Sequence, residues 1–442
     1  MHNKNRTPTF NIKVVVQETG LKPDTLRAWE RRYGMPEPRR SSGGHRLYSQ
    51  YEIDMLKWLV ARQEEGLSIS HAIDLWRKLE EEGREPLHAQ PLENATEESY
   101  SPPVFEGESI KKLRDDWIAA CLAFDEYQAQ QLLAEAFALF TVETVCFEVL
   151  QKGLAQIGQG WYTGDVSVQQ EHFASALAVR QLEALIAALS TAVRRERVLI
   201  ACPAHEQHTF SPLIVTLLLR RRGCDVVYLG ANVPTERLAA TVQSIQPQLV
   251  ILTAQTLHTA GNLLDAANIL HAIDVPLAYG GAVFNYIPAA RQAIPGHFLG
   301  EMLQGVPQGV KNLLETQPAP VEFTTASPAL RAAHDLFVAQ RPRIEADLHN
   351  RFAHVDLEPD ALTRANADLG DNIVAALKLG SMELMDANLA WVQGLLINFH
   401  YRMLQEAMEA YMQAYLKTLE QHLDARAQPI IAWFHTVLNQ PA

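Results

Sequence analysis

The chain has 442 residues, 48% of them apolar and 20% charged, and a net charge of −13. That is too long for one ordinary domain and has the composition of packed globular material, so two to four domains are expected. Four scattered cysteines, Cys121, Cys146, Cys202 and Cys224, form no CxxC or Cys/His cluster, which argues against a structural zinc or a disulfide scaffold and fits a reducing cytoplasm. No apolar run approaches the roughly 20 residues of a membrane span. The N-terminal MHNKNRTPTF lacks the apolar core of a signal peptide, so neither secretion nor membrane insertion is expected.

Charge divides the chain unevenly. Residues 1–50 hold ten Lys/Arg against four Asp/Glu, a net +6, which leaves the remainder at −19. A basic head on an acidic body suits a head that meets phosphates while the rest is repelled from them.

Within that head, Val14–Thr19 reads as a short helix, followed by a Gly20-Leu21-Lys22-Pro23-Asp24 turn. Asp24 is placed to cap a second helix from Thr25 to about Tyr33. Two helices joined by such a turn are the helix-turn-helix pattern. A loop with Pro36, Pro38 and Gly43-Gly44 precedes helices over about Gln50–Glu65 and Ser70–Glu82, and the head ends near residue 84.

Residues 85–109 are polar, acidic and carry several prolines, a composition read as a linker. From 110 to 194 apolar residues recur at three- and four-residue spacing, as in Leu113, Trp117, Ala120 and Cys121, which predicts about four amphipathic helices in a bundle. The period changes over 195–317. Short β-rich runs at Val198–Ala201, Val226–Leu229, Leu249–Leu252, Leu277–Tyr279 and Phe298-Leu299 alternate with helical stretches, which predicts a doubly wound parallel sheet with its ligand crevice at the carboxyl ends of the strands. Residues 318–442 read as an all-α region, with a long amphipathic stretch over Ser381–Leu423 and a last helix after Pro429.

Three groups of residues carry chemistry. In the head, Thr25-Leu26-Arg27-Ala28-Trp29-Glu30-Arg31-Arg32-Tyr33-Gly34, then Pro38-Arg39-Arg40 and Gly43-Gly44-His45-Arg46-Leu47-Tyr48, resemble the winged helix-turn-helix of MerR-type regulators. That resemblance implies Thr25, Arg27, Arg31, Arg32 and Tyr33 at or beside a recognition helix in the major groove of double-stranded DNA. Arg39, Arg40, His45 and Arg46 fall on a wing that meets phosphates. Trp29 and Tyr48 are expected in the core. Many MerR-type activators dimerise through a long helix directly after the head; the linker here shifts assembly, as a dimer or tetramer, to the downstream domains.

After the first strand of the sheet, Ala201-Cys202-Pro203-Ala204-His205-Glu206-Gln207-His208-Thr209-Phe210-Ser211-Pro212 resembles the cobalamin-binding loop of pattern Asp/Glu-x-His-x-x-Gly. The resemblance implies His208 as lower cobalt ligand, oriented by Glu206. Ser211 stands where the family has Gly and is expected to cap the next helix, with Pro212 at its first position. His205 is a second imidazole on the same loop. Gly230 and Val233, Thr253 and Gln255, and Gly280 and Gly281 follow the next three strands as in that family, and are expected to shape the slot for the nucleotide tail. No GxGxxG is present, which disfavours a dinucleotide fold.

In the bundle, Trp161 followed by Glu171-His172 is similar to the arrangement that surrounds the adenosyl group in the light-responsive CarH/LitR regulators. Tyr162 stands where the best-known members have a His. The whole resemblance, over about residues 10–315, implies a non-enzymatic, cytoplasmic, DNA-binding regulator using adenosylcobalamin as a photolabile switch, a repressor in the dark. The other readings are a regulator that senses cobalamin as a metabolite, or a bilin or other tetrapyrrole through histidines of the C-terminal region (His334, His349, His354, His400, His422), and a corrinoid methyltransferase or mutase subunit. For residues 318–442 a helical dimerisation or docking role is the alternative to such a pocket.

Overall fold

The apolar runs beyond residue 196 fold, in the computed structural model, into a five-stranded parallel sheet of β4 (Arg197–Pro203), β5 (Asp225–Val233), β6 (Leu249–Thr253), β7 (Leu277–Gly280) and β8 (His297–Phe298), in the order β5-β4-β6-β7-β8. The structure describes residues 7–19, 21, 23–40, 46–64, 69, 73, 76–77, 108–189, 192–194, 196–316, 321–352, 361–387 and 405–439. Residues 1–117 with 130–149 form one compact unit, and residues 118–129 with 150–442 a second.

In the first unit, β1 (Phe10–Asn11), β3 (Arg46–Tyr48) and β2 (Arg39–Arg40) pair antiparallel in that order. They accompany helices Ile12–Thr19, Pro23–Tyr33 and Gln50–Glu64 around a core of Val15, Leu26, Trp29, Tyr48, Leu56 and Trp76. Burial of Trp29 and Tyr48 agrees with the sequence reading. The second helix begins at Pro23, two residues before the expected start, because proline's fixed φ and missing N–H suit a first helical position. It ends at Gly34, whose φ of +69° and N–H to the Glu30 carbonyl make the left-handed stop that glycine adopts without strain. Of the expected Ser70–Glu82 helix, Ile73, Trp76 and Arg77 are described, all helical. The linker lies outside the described residues except for its end, since Glu108 and Ser109 already open the helix Glu108–Leu122.

Alternation along the strands explains the second unit. Val198, Ile200, Leu249 and Ile251 face a layer that includes Val215, Leu219, Val306 and Val310. Leu199, Ala201, Val250 and Leu252 face the other layer. A sheet covered on both faces needs apolar residues at every position, which is why these strands read as unbroken runs. The first strand lies centrally, so the chain winds outward in both directions from the β4/β6 boundary, the switch point where a crevice opens.

The C-terminal helices Pro328–Phe352, Ala361–Leu379, Gln405–His422 and Gln428–Leu438 do not stand apart. Their apolar residues join the same core as one face of the sheet, through the helix Leu257–Ala272. Gly261 allows the closest contact, since a Cβ there would lie 2.8 Å from Ala375 Cβ. Tyr411, Met412 and Tyr415 are buried, and Tyr415 stacks on Phe434 with ring centroids 5.4 Å apart. Trp391, Leu395, Phe399, His400 and Met403, with His354, lie outside the described residues. His334, His349 and His422 are engaged with Asp335, with the Glu345 carbonyl and Thr363, and with Asp347. Among the described residues no helix is long and apolar enough to cross a membrane.

Candidate functional site

The loop after β4 sits at the switch point. Its geometry is prepared by β5, whose register against β4 shifts twice near the carboxyl end, with Ala201 opposite Gly230 and Pro203 opposite Val233. Such bulges re-aim side chains beside sites. Here Asn232 is turned so that its Oδ1 accepts the His205 N–H at 2.7 Å, while the Asn232 N–H donates to the Glu206 carbonyl at 2.9 Å. From the other side Asn262 Nδ2 donates to the Ala204 carbonyl at 2.9 Å.

Glu206 is fully buried and its two oxygens are saturated. Oε1 accepts the His208 N–H at 2.9 Å and faces His208 Nδ1 at 2.6 Å; Oε2 accepts the Gln255 N–H and the Thr259 hydroxyl, each at 2.7 Å. Burial alone would raise this carboxyl, but the hydrogen bonds from His208 and Thr259 hold it below its ordinary value, so it stays ionised. The hydrogen bond to Glu206 in turn raises His208 against the opposing effect of burial. A carboxylate on Nδ1 places the neutral-state proton there and leaves Nε2 with a lone pair for a metal. The His208 side chain is 67% exposed.

His205 is directed elsewhere. Its φ is +65° and its ring lies 5.3 Å from that of His258, so the second imidazole of the loop is turned toward the helix Leu257–Ala272. Burial pushes the Cys202 thiol up to about 11, which keeps it protonated under the loop. Among the described residues no group of three or more His, Cys, Asp or Glu side chains could hold a bare metal ion.

Ser211 corrects the sequence reading. The helix Phe210–Arg221 starts two residues earlier, with Thr209 at the cap and no side-chain capping bond. Ser211 and Pro212 thus fall inside its first turn, where an amide has no intrahelical acceptor and proline's missing N–H costs nothing.

The residues expected from the bundle meet His208. The helix Lys152–Thr163 stops at Gly164, φ +91°, and the helix Val168–Ala187 starts from a capping box of Ser167 and Gln170. That reversal sets Trp161 on the last turn of one helix and Glu171-His172 on the first turn of the next. With Gly158, Gln159, Tyr162, Val168 and His208 they line a cavity of about 520 Å³. Glu171 Oε2 faces His172 Nδ1 at 2.8 Å and Oε1 accepts the Ser175 hydroxyl at 2.7 Å.

Tail-slot residues divide into two kinds. A Cβ at Gly230 or Gly280 would meet nothing within 4 Å, whereas one at Gly281 would fall 1.8 Å from the Ala254 carbonyl oxygen. Gly281 therefore serves close backbone approach, and its φ of +123° admits glycine alone. Thr253 is buried, with its hydroxyl 3.8 Å from Cys202 Sγ. Residues that the sequence reading missed are Asn232, Thr259, Asn262 and Tyr286, whose hydroxyl donates to the Gln255 carbonyl at 3.2 Å. Only Thr259 had a local signal, as partner of Thr256 in a capping box.

In the head, Arg27 and Arg39 are exposed and Thr25 and Tyr33 half-buried. Arg31 and Arg32 fall on the second helix and Arg40 on β2; their side chains, like His45 as a whole, lie outside what is described. Arg46, expected at phosphates, engages Glu30 in a forked pair, Nε to Oε2 at 2.7 Å and Nη2 to Oε1 at 3.3 Å.

Three family models match the chain: MerR HTH family regulatory protein over residues 10–79, and two described as B12 binding domain over residues 113–186 and 196–302. The HTH-type transcriptional repressor CarH of Myxococcus xanthus is 30% identical over 297 residues, 66% of this chain and 96% of that relative. The repressor CarA of the same organism is 33% identical over 248 residues, 55% of this chain and 76% of the relative. A monomethylamine corrinoid protein of Methanosarcina barkeri is 18% identical with a TM-score of 0.40, covering 47% of this chain and 99% of that one.

Proposed function

Because the chain belongs to the MerR-type, cobalamin-binding transcriptional regulators that include the CarH and CarA repressors of Myxococcus xanthus, we propose that it is a light-responsive regulator whose switch is adenosylcobalamin. The residues present suit that group. His208 is held by a buried carboxylate with its other nitrogen available, and the cavity above it has the flat indole of Trp161 and the Glu171-His172 pair. His208 would hold the metal from below; Trp161, Glu171 and His172 would enclose the adenosyl group, the indole by stacking and the carboxylate by accepting ribose hydroxyls. When bound, adenosylcobalamin supplies a light-labile cobalt–carbon bond.

The chain's own residues do the rest. Glu206 keeps the His208 imidazole aimed, Trp161 excludes water, and the head residues Arg27, Arg31, Arg32, Arg39 and Arg40 bind the operator through groove and phosphate contacts. A homo-oligomer, dimer or tetramer, would be favoured by the adenosyl form, which shifts assembly only as far as its differential affinity allows. The observation that carries the reading is that His208 lines one cavity with Trp161, Glu171 and His172, residues brought there from two separate helices.

The test is an absorption spectrum and an operator titration of the adenosylcobalamin-loaded protein in the dark and after green light. A spectral change with loss of DNA affinity is expected. Cobalamin binding with DNA affinity indifferent to light would replace photosensing by metabolite sensing.

A further inference from the structure

A second cavity, of about 330 Å³, opens where the C-terminal helices meet the helix Leu257–Ala272. That is the size of the smaller ligand sites, which begin near ~300 Å³. Part of its lining is apolar: Leu264, Leu377 and Phe323, whose ring stands T-shaped to His271 with centroids 5.2 Å apart. The rest is charged, and the charges balance. Asp265 and Asp335 supply two carboxylates, Arg331 and Lys378 two cations. Lys378 Nζ donates to Asp265 Oδ2 at 2.6 Å and His334 Nδ1 faces Asp335 Oδ1 at 3.0 Å, which leaves Asp265 Oδ1 and Asp335 Oδ2 without a partner among the described residues. Arg331 is anchored through Nη1 on the Ala326 carbonyl, and its Nε–Nη2 edge has no partner among them either. A guanidinium uses that edge to grip a carboxylate with two parallel hydrogen bonds.

These groups select a class of ligand. An anion alone would face Asp265 and Asp335, and a cation alone would face Arg331 and Lys378, a mismatch that costs affinity in either case. A molecule that carries both charges satisfies both sets. We propose that the cavity binds a free α-amino acid with an apolar side chain, its carboxylate on the Arg331 fork, its ammonium on the free oxygens of Asp265 and Asp335, and its side chain against Leu264, Leu377 and Phe323. The C-terminal region then supplies half of a small-molecule site. The occupant joins it to the helix that, nearer its start, holds Glu206 through the Thr259 hydroxyl. No residue lines both this cavity and that of His208, so the proposal does not rest on the cobalamin reading.

The experiment titrates L-leucine, L-isoleucine, L-valine, L-methionine and L-phenylalanine singly into the full chain, following the heat of binding and the rise in melting temperature that a ligand of the folded state produces. Two further probes dissect the leucine contact: 4-methylpentanoate, which lacks the ammonium, and 3-methylbutylamine, which lacks the carboxylate. At least one of the five amino acids should bind, and neither leucine fragment should bind as tightly as the best of them. Arg331→Met should weaken that binding about 10- to 100-fold, the order of a lost charge-assisted pair. Arg331→Lys should not restore it, because an ammonium has the charge without the fork. Arg331 is exposed, and an unchanged urea midpoint without ligand checks that both variants are folded. Failure of all five amino acids to bind would overturn the proposal. Equal binding of either fragment would overturn it too, since the site would then read one charge only. So would undiminished binding in both variants, which would place the amino acid elsewhere on the chain.

Discussion

Glu206 holds His208 twice, by its ring Nδ1 at 2.6 Å and by its backbone N–H at 2.9 Å, both on the same oxygen Oε1. A two-residue separation allows this only because the loop folds back on itself, with the Glu206 N–H on the Pro203 carbonyl at 3.0 Å. The imidazole is thus fixed in tautomer and direction by one buried group.

Glu206→Gln replaces a saturated acceptor by an amide that must turn a donor toward N–H or hydroxyl donors. Cobalamin affinity should fall by about 10- to 100-fold, as when the carboxylate behind a metal-bound histidine is lost. His205→Ala should bind as the wild type does, because that ring faces His258. A spectrophotometric titration checks both, and the reverse order would move the axial role to His205.

Arg46 and Glu30 tie the wing strand to the second helix. Glu30→Ala should therefore weaken operator binding although it removes a negative charge, with the salt dependence retained. Arg46→Ala should do the same, whereas Arg27→Ala should lower the slope of log affinity against log salt by about one phosphate's worth, roughly 0.9. A comparable drop in slope for Arg46→Ala would mean that Arg46 itself reaches the DNA.

Gly261→Val should loosen the C-terminal helices from the sheet. Its side chain would meet Ala375 Cβ at 2.8 Å and Cα at 2.9 Å, backbone that cannot step aside. Overpacking of this kind costs about 1–3 kcal/mol. The neighbouring Asp265–Lys378 pair at 2.6 Å is partly exposed, and Lys378→Ala should cost no more than about 1 kcal/mol. Urea unfolding monitored by tryptophan fluorescence compares the two; equal effects would show that the helices are held by charge.

His258 gives the same interface a pH dependence. Burial lowers it below its ordinary value; Asp371, 3.8 Å away, opposes this, and His205, Lys378 and Arg341 add to it. The folded state thus prefers the neutral ring. Stability is complete above the unfolded value of about 6.5 and declines as the pH falls below it, since the unfolded chain takes up the proton first. His258→Asn should flatten the loss measured between neutral and mildly acidic pH in urea unfolding; an unchanged slope would place the titration elsewhere.

The sequence by itself determined the elements and the chemistry within them. Strand runs such as Val198–Ala201 are legible because a doubly covered sheet needs every position apolar, and Glu206-x-His208 is legible because the orienting acid and its imidazole are two residues apart. The Trp161 and Glu171-His172 positions are legible through their resemblance to the arrangement in the CarH/LitR regulators. Tertiary structure decided what meets across distance. Thr259, Asn262 and Asn232 reach the loop from other strands and helices. Arg46 is expected at phosphates from the sequence, and only the fold sets Glu30 beside it. The C-terminal helices announced their periodicity but not their partner: an amphipathic stripe states that a face must be covered, and only the fit of Gly261 against Ala375 states by what.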